Sequence, residues 1–174
     1  MIIWLIGISG SGKSTIGKSL HNKLKRKVKN LVYIDGDEFR ALMNNDLGYS
    51  ITDRDKNAKR MIRFIKFLSD QKINVICAAN LTNKKYQLLA RKVLKKNYFE
   101  IFVKTSIKTL IENRDYKKLY KKAIQKKIKN VVGIDLKYDE PKNSNLVIEN
   151  EINRKNFSQI IDKIITKTNI LKKN

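Results

Sequence analysis

The feature that most constrains this chain is the run Gly7-Ile8-Ser9-Gly10-Ser11-Gly12-Lys13-Ser14, which fits the pattern G-x-x-x-x-G-K-[ST]. It lies between an apolar run at 2–6 and an amphipathic stretch from Lys13 to about Lys29, a strand–loop–helix context. Glycines let the backbone turn so that successive N–H groups point inward at phosphate oxygens. The helix that follows adds its partial positive charge at the same place. Lys13 is positioned to reach the β- and γ-phosphates of a nucleoside triphosphate, and the Ser14 hydroxyl to ligate Mg²⁺. A Gly-rich turn with a coincidental Lys-Ser is the bland alternative, and the flanking strand and helix argue against it. ATP and Mg²⁺ are therefore the expected cofactors.

The rest of the chain repeats that alternation. Short apolar runs at 31–34, 73–78, 99–103 and 146–148 read as further strands, too continuously apolar for an exposed hairpin. Between them run helical patterns: Thr52 as N-cap of a long helix through Ser69, Asn83 capping one with Leu88, Leu89 and Val93, and Ser106 capping one with Leu110 and Ile111. Phe157, Ile160, Ile161, Ile164 and Ile165 recur at helical spacing near the C-terminus. The expected fold is α/β, of the P-loop NTPase type: a mainly parallel sheet with helices on both faces. One domain is expected over 1–174. The stretch from Asp115 to about Lys129 is helical in pattern but very basic, with few apolar positions beyond Leu119, Tyr120, Ala123 and Ile128. It is expected to form part of a basic lid at about 115–135.

Composition removes several classes. With 41% apolar and 32% charged residues over 174 positions, the chain has too much core material for a disordered basic tail. One Cys (Cys77) and one His (His21) make neither a disulfide framework nor a zinc site. No apolar run approaches the ~18 residues that span a bilayer, and the run at 2–8 lacks the basic leader of a signal peptide. No membrane partner and a cytoplasmic location are expected. The net charge of +23 raises nucleic acid as a partner. Yet the lysines are spread along the whole chain, and Lys, Ile and Asn share A/T-rich codons. No recognised nucleic-acid module is present, so a nucleic-acid-binding P-loop protein remains a remote alternative. Cys77 and Trp4 are expected in the core and His21 in solvent.

The second strand runs into Asp35-Gly36-Asp37, two carboxylates at the carboxyl end of a parallel strand, where α/β sheets bind ligands. One can sit near Mg²⁺ while the other takes the proton of an attacking hydroxyl; a polar turn capping a helix from about Glu38 is the other reading. The third strand ends Cys77-Ala78-Ala79-Asn80 without an Asp, which leaves Asp35 as the candidate for the metal-supporting carboxylate.

Longer motifs extend this run. Asp35-Gly36-Asp37-Glu38-Phe39-Arg40, then Asn45-Asp46-Leu47-Gly48-Tyr49-Ser50, then Asp53-Arg54-Asp55-Lys56-Asn57 resemble the D-G-D-x-x-R, N-x-D-L-G-F-S and D-R-x-x-N of the adenylylsulfate kinase family. Asn113-Arg114-Asp115 with Lys118 to Ala123, and Ile128 to Asp135 followed by Tyr138 and Glu140-Pro141, resemble its later motifs in order and spacing. The resemblance implies a kinase that moves the ATP γ-phosphate to the ribose 3′-hydroxyl of a nucleotide with a modified 5′-phosphate. It implies that Gly10, Ser11, Gly12, Lys13, Ser14 and Thr15 hold Mg-ATP, with Arg114 near the ATP base. It makes Asp37 the general base, with Lys13 and Asp35 completing the catalytic set and Ser14 and Asp35 serving the metal. It assigns Arg40, Tyr49, Arg54, Asn57, Lys121 and Ile134 to the acceptor, and it implies a homodimer.

The departures fall on the acceptor side. The family's F-T-G-I becomes Val131-Val132-Gly133-Ile134, losing an aromatic that closes over the acceptor's adenine; its A-F-I-S-P-[YF]-R becomes Ala78-Ala79-Asn80-Leu81-Thr82-Asn83-Lys84. Lys118 replaces a lid glycine. Losing a stack worth ~1–3 kcal/mol should relax adenine selectivity. The pattern looks like the family's branch associated with bacterial capsule phosphoramidate biosynthesis, acting on cytidine diphosphoramidate. Adenylylsulfate is the alternative acceptor, and drift in a biased genome the bland explanation.

Overall fold

The first strand is apolar on both sides because both sides are covered. β1 (Ile2–Ile6) is the central strand of a five-stranded, all-parallel sheet of order β2-β3-β1-β4-β5. Its neighbours are β2 (Leu31–Asp35), β3 (Asn74–Ala78), β4 (Tyr98–Lys104) and β5 (Leu146–Glu149). The computed structural model describes residues 1–115, 118–151 and 157–172. The Phe157 side chain and positions 116 and 117 of the expected lid lie outside the described residues.

The two-residue period of a strand sorts β1 between two cores. Ile2, Trp4 and Ile6 pack with Val75, Cys77 and Phe102 beneath α3 (Ile51–Asp70) and α4 (Lys84–Leu94), which contribute Met61, Ile62, Ile65, Ala90 and Leu94. Ile3 and Leu5 pack on the other face with Ile76, Ile101 and Val103 beneath α1 (Lys13–Leu24) and α7 (Phe157–Thr168). The fully buried Trp4 donates its indole N–H to the Ala79 carbonyl at 2.9 Å, which anchors the backbone leaving β3. Glu100, fully buried on that face, is offset by Arg91 of α4 at 2.5 Å and receives hydrogen bonds from Tyr98 and Ser144.

Several expected boundaries shift. The long helix is capped by Ser50, whose hydroxyl accepts from the Asp53 amide, and not by Thr52, because only Ser50 has the extended backbone that aims a hydroxyl at the first turn. α1 ends at Leu24, short of Lys29; turns at 25–30 still carry Val28 into the core. α2 (Gly36–Leu42) starts directly after β2, two residues before Glu38. Ser106 caps a short α5 (Ile107–Thr109) that widens into a π-helix at Leu110–Arg114. Among its described residues the basic segment yields only α6 (Leu119–Ile124), and the others are loop. α6 is anchored by Tyr120 and Ala123, buried with Ile8, Leu110, Val131 and Val132 in a third small cluster. His21 is half-buried, its ring 6.2 Å from that of Tyr33, rather than solvated.

Candidate active site

The phosphate loop follows β1 at the centre of the sheet, where both neighbouring strands end beside it. Gly12 has φ +99, and a Cβ there would meet the Asn150 amide nitrogen at 2.5 Å, so glycine is required on two grounds. Asn150, just beyond β5, donates to the Ser11 carbonyl at 2.7 Å, and Thr105 donates to the Asn150 carbonyl at 3.0 Å. From the other side the Tyr120 hydroxyl donates to the Ser9 carbonyl at 2.7 Å. The loop is held by its neighbours before any ligand arrives. Gly10, Ser14 and Thr15 are exposed along it, whereas Ser11 is fully buried beneath it.

Lys13 donates to the Ile8 carbonyl at 2.7 Å, folding back over its own loop. Burial lowers its pKa to about 8, against the opposing pull of Asp35 and Asp37. An ammonium desolvated to this degree gains from any polyphosphate placed beside it.

Asp35 closes β2 and is buried. One carboxylate oxygen accepts from Ser14 Oγ at 2.6 Å and from the Tyr33 hydroxyl at 2.9 Å. The other accepts from the Asp37 amide at 2.9 Å and caps α2. Burial works against the ionised form, but the hydrogen bonds from Ser14, the Asp37 amide and Tyr33 outweigh it and hold this carboxyl below the usual range. The capping reading of the Asp-Gly-Asp run therefore holds, and the same Asp35 carboxylate also meets Ser14. The Asp37 side chain, one step further, is exposed to the crevice. Tyr33 was not singled out by the sequence, although a residue two before Asp35 on a strand shares its face.

The side expected to face the acceptor is built from loops tied to α3. Arg60 grips Asp46 with two bonds of 2.8 Å, fixing the loop that carries Tyr49. Arg40, buried, donates to the carbonyls of Leu47 and Gly48 at 3.2 and 3.0 Å. Arg54 donates to the carbonyls of Tyr49 and Asn130, both at 2.9 Å. The two guanidinium carbons lie 4.8 and 5.3 Å from the exposed Tyr49 ring. Burial, with Arg40 nearby, lowers the Arg54 pKa. Asp135 accepts from the amides of Asn130 and Val131, both at 2.6 Å, closing the 130–136 segment on itself. Ile134 lines a cavity of about 370 Å³ with Ile8, Ile107, Leu136 and Tyr138. Asn57 is buried, and its amide nitrogen meets only Met61 sulfur at 3.7 Å. Lys121 is exposed on α6, whose first amides are capped by Asp115. Arg114 donates to the Glu151 carbonyl, and its own carbonyl passes 3.7 Å from the Cβ position of Gly10. The structure thus gathers Lys13, Ser14, Asp35 and Asp37 in one crevice, with Arg40, Arg54 and Tyr49 clustered as a second group.

Residues 1–149 match the profile of the adenylylsulphate kinase family. The chain belongs to that family. It is a kinase, a phosphotransferase to a hydroxyl acceptor. Among family relatives, the cytidine diphosphoramidate kinase of Campylobacter jejuni is 42% identical over 167 residues, covering 95% of each chain. The adenylyl-sulfate kinase of Prochlorococcus marinus is 36% identical over 168 residues, 96% of this chain and 82% of that one. The solved Mycobacterium tuberculosis APS kinase in complex with AMPPNP and APS superposes with a TM-score of 0.85 at 32% identity, covering 97% of this chain and 96% of that one.

The departures from the family pattern can now be placed. Val131 and Val132 are both buried, in the cluster that seats α6. Lys118 adopts the left-handed φ of +52, the conformation that favours the glycine it replaces. Asn80 follows Ala79, whose Cβ lies 3.1 Å from the Cβ position of Gly36, so the altered wall abuts Asp35-Gly36-Asp37 directly. Among the described residues no helix is long and apolar enough to cross a membrane.

Proposed function

We propose that this chain transfers the γ-phosphate of ATP to the ribose 3′-hydroxyl of cytidine diphosphoramidate. Asp37 takes the proton as the 3′-oxygen forms its bond to phosphorus, the bond from the γ-phosphorus to the β,γ-bridging oxygen breaks, and ADP leaves. An exposed carboxylate fixed by its amide to Asp35 suits a base that must meet an incoming hydroxyl. Lys13 and the loop amides hold the phosphates. Arg40 and Arg54 face the acceptor's phosphates, Tyr49 offers a stacking surface, and Asn57 and Ile134 border its base. The segment at about 115–135, with Lys121, acts as the lid, and Arg114 borders the ATP base.

Mg²⁺ fits the Ser14 and Asp35 oxygens, which lie 2.6 Å apart and are hard donors. Bound there, Mg²⁺ would neutralise charge developing on the β- and γ-phosphoryl oxygens.

The observation that carries the choice of acceptor is that the changed residues cluster on one side: the phosphate loop, Asp35 and Asp37 are retained, while the wall at 78–84 and the 131–132 pair differ. Adenylylsulfate remains the competing acceptor, favoured by the retained aromatic at Tyr49. Purified protein with Mg-ATP and each acceptor in turn, followed by ADP release and by locating the new phosphate on the ribose, separates them. Turnover of adenylylsulfate with none of the cytidine compound overturns this reading.

A further inference from the structure

Three buried side-chain polar atoms border the proposed acceptor side without a hydrogen-bond partner among the described residues: Asn57 Oδ1, Asn80 Oδ1 and the Tyr138 hydroxyl. Shutting such an atom away from water unpaired costs about 1–3 kcal/mol, so each calls for a reason. Asn80 is the informative one, because it lies just beyond β3, between the strands that deliver Asp35 and the phosphate loop.

Its surroundings are rigid. The Ala79 amide donates to the Leu5 carbonyl at 3.2 Å and the Ala79 carbonyl accepts from Trp4, so the backbone entering Asn80 is anchored to β1. β3 lies between β2, which delivers Asp35, and β1, which delivers the phosphate loop. Asn80 therefore stands at the floor of the crevice between the two catalytic segments. The Asn80 amide nitrogen donates to the hydroxyl oxygen of Thr82 at 3.3 Å. Thr82 is itself buried, and its carbonyl accepts from the Asp139 amide at 3.1 Å. With the nitrogen end held by Thr82, the oxygen end is the one left to accept. Asn80 as a whole is only half-buried, although that oxygen is itself shut away from solvent.

We propose that Asn80, oriented by Thr82, accepts a hydrogen bond from the exocyclic amino group of the acceptor's base, selecting an amino base over its keto counterpart. Cytosine carries N4–H₂ where uracil carries an acceptor oxygen, so the same amide welcomes one and faces the other acceptor to acceptor. The proposal rests on the function above for its choice of cytidine, but the selection of an amino group applies to adenine against hypoxanthine as well.

The test measures kcat/KM for cytidine and uridine diphosphoramidate, and for adenylylsulfate and its inosine counterpart, with wild type, Asn80→Ile and Thr82→Val. Wild type should prefer the amino base by ~10–100-fold, as a buried, otherwise unpaired acceptor implies. Asn80→Ile, which restores the family's residue and should pack, should cost the amino base most of that factor and leave the keto base within about 3-fold. Thr82→Val frees the amide to turn, so the keto base should gain while the amino base stays within about 3-fold. The KM for ATP serves as the folding control. Equal wild-type rates with amino and keto bases overturn the proposal, as does an Asn80→Ile loss that is equal for both. Turnover only in the purine series refutes the cytidine function yet still tests Asn80 through the adenine–hypoxanthine pair. Turnover of none of the four refutes both.

Discussion

The two sides of the crevice are finished to different degrees. On the phosphate side, the polar groups that shape the loop are paired within the chain: Ser14 and Tyr33 to Asp35, Asn150 to Ser11, Tyr120 to Ser9, Lys13 to Ile8. On the proposed acceptor side, Asn57, Asn80 and Tyr138 keep buried polar atoms without a partner among the described residues, and Arg40 and Arg54 spend donors on loop carbonyls. ATP is the invariant partner of a kinase, so its cradle can be built in advance at no loss of versatility. The relatives are named for different acceptors, and the proposed acceptor side keeps polar groups that a ligand or water can pair.

The largest test of that contrast is Asp37→Ala. Turnover should fall by ~10²–10⁴-fold while the affinity for ATP, read by calorimetry, changes little. A fall in ATP affinity of the same size would erase the distinction between the two sides. Next, Asp135→Ala removes the two carboxylate bonds that brace the 130–136 segment, leaving its backbone bonds in place. The KM for the acceptor should rise by roughly 10-fold, or ~1.4 kcal/mol, which is within reach of two hydrogen bonds to a carboxylate, and the KM for ATP should hold. An equal rise in both would mean that the segment serves the whole crevice.

Lys13 sharpens the phosphate side. Its folded pKa of about 8 lies below the ordinary 10.5, so between those values the unfolded chain holds more protons. Its contribution to the stability of the free protein therefore rises with pH across that window and is lost as pH falls through about 8. Bound phosphates restore the charged form. Calorimetry near pH 8–9 in buffers of different ionisation enthalpy should register uptake of up to about one proton on ATP binding, an uptake absent in Lys13→Met. The smallest effect is expected at Lys118→Gly. Relief of the left-handed φ, partly offset by the greater freedom of an unfolded glycine, should stabilise the chain by about 0.5 kcal/mol and raise Tm slightly.

Much of the phosphate side was readable because it is local. Loop, strand and helix are consecutive in the chain, and Asp35 and Asp37 end the next strand, so spacing alone brings the chemistry together. The cap at Ser50 was misplaced onto Thr52 because two hydroxyl residues stand near one helix start, and only backbone direction chooses between them. The basic stretch after Asp115 was read as a longer helix. Its lysines suit a helix, but few of its side chains find a core, so among its described residues only the turns holding Tyr120 and Ala123 are helical. Asn150 and Tyr120 act on the phosphate loop across separations of 139 and 111 residues, which no local pattern reveals.

The sequence by itself determined the parallel α/β architecture, the triphosphate cradle and the paired carboxylates, because each follows from periodicity or close spacing along the chain. Only the tertiary structure decided which distant side chains buttress that cradle, and which buried amides on the opposite wall were left wanting a partner. Hydrogen bonding is satisfied or not in three dimensions, and the folded neighbours of Asn80, unlike those of Lys13, are set by how separate strands and loops converge.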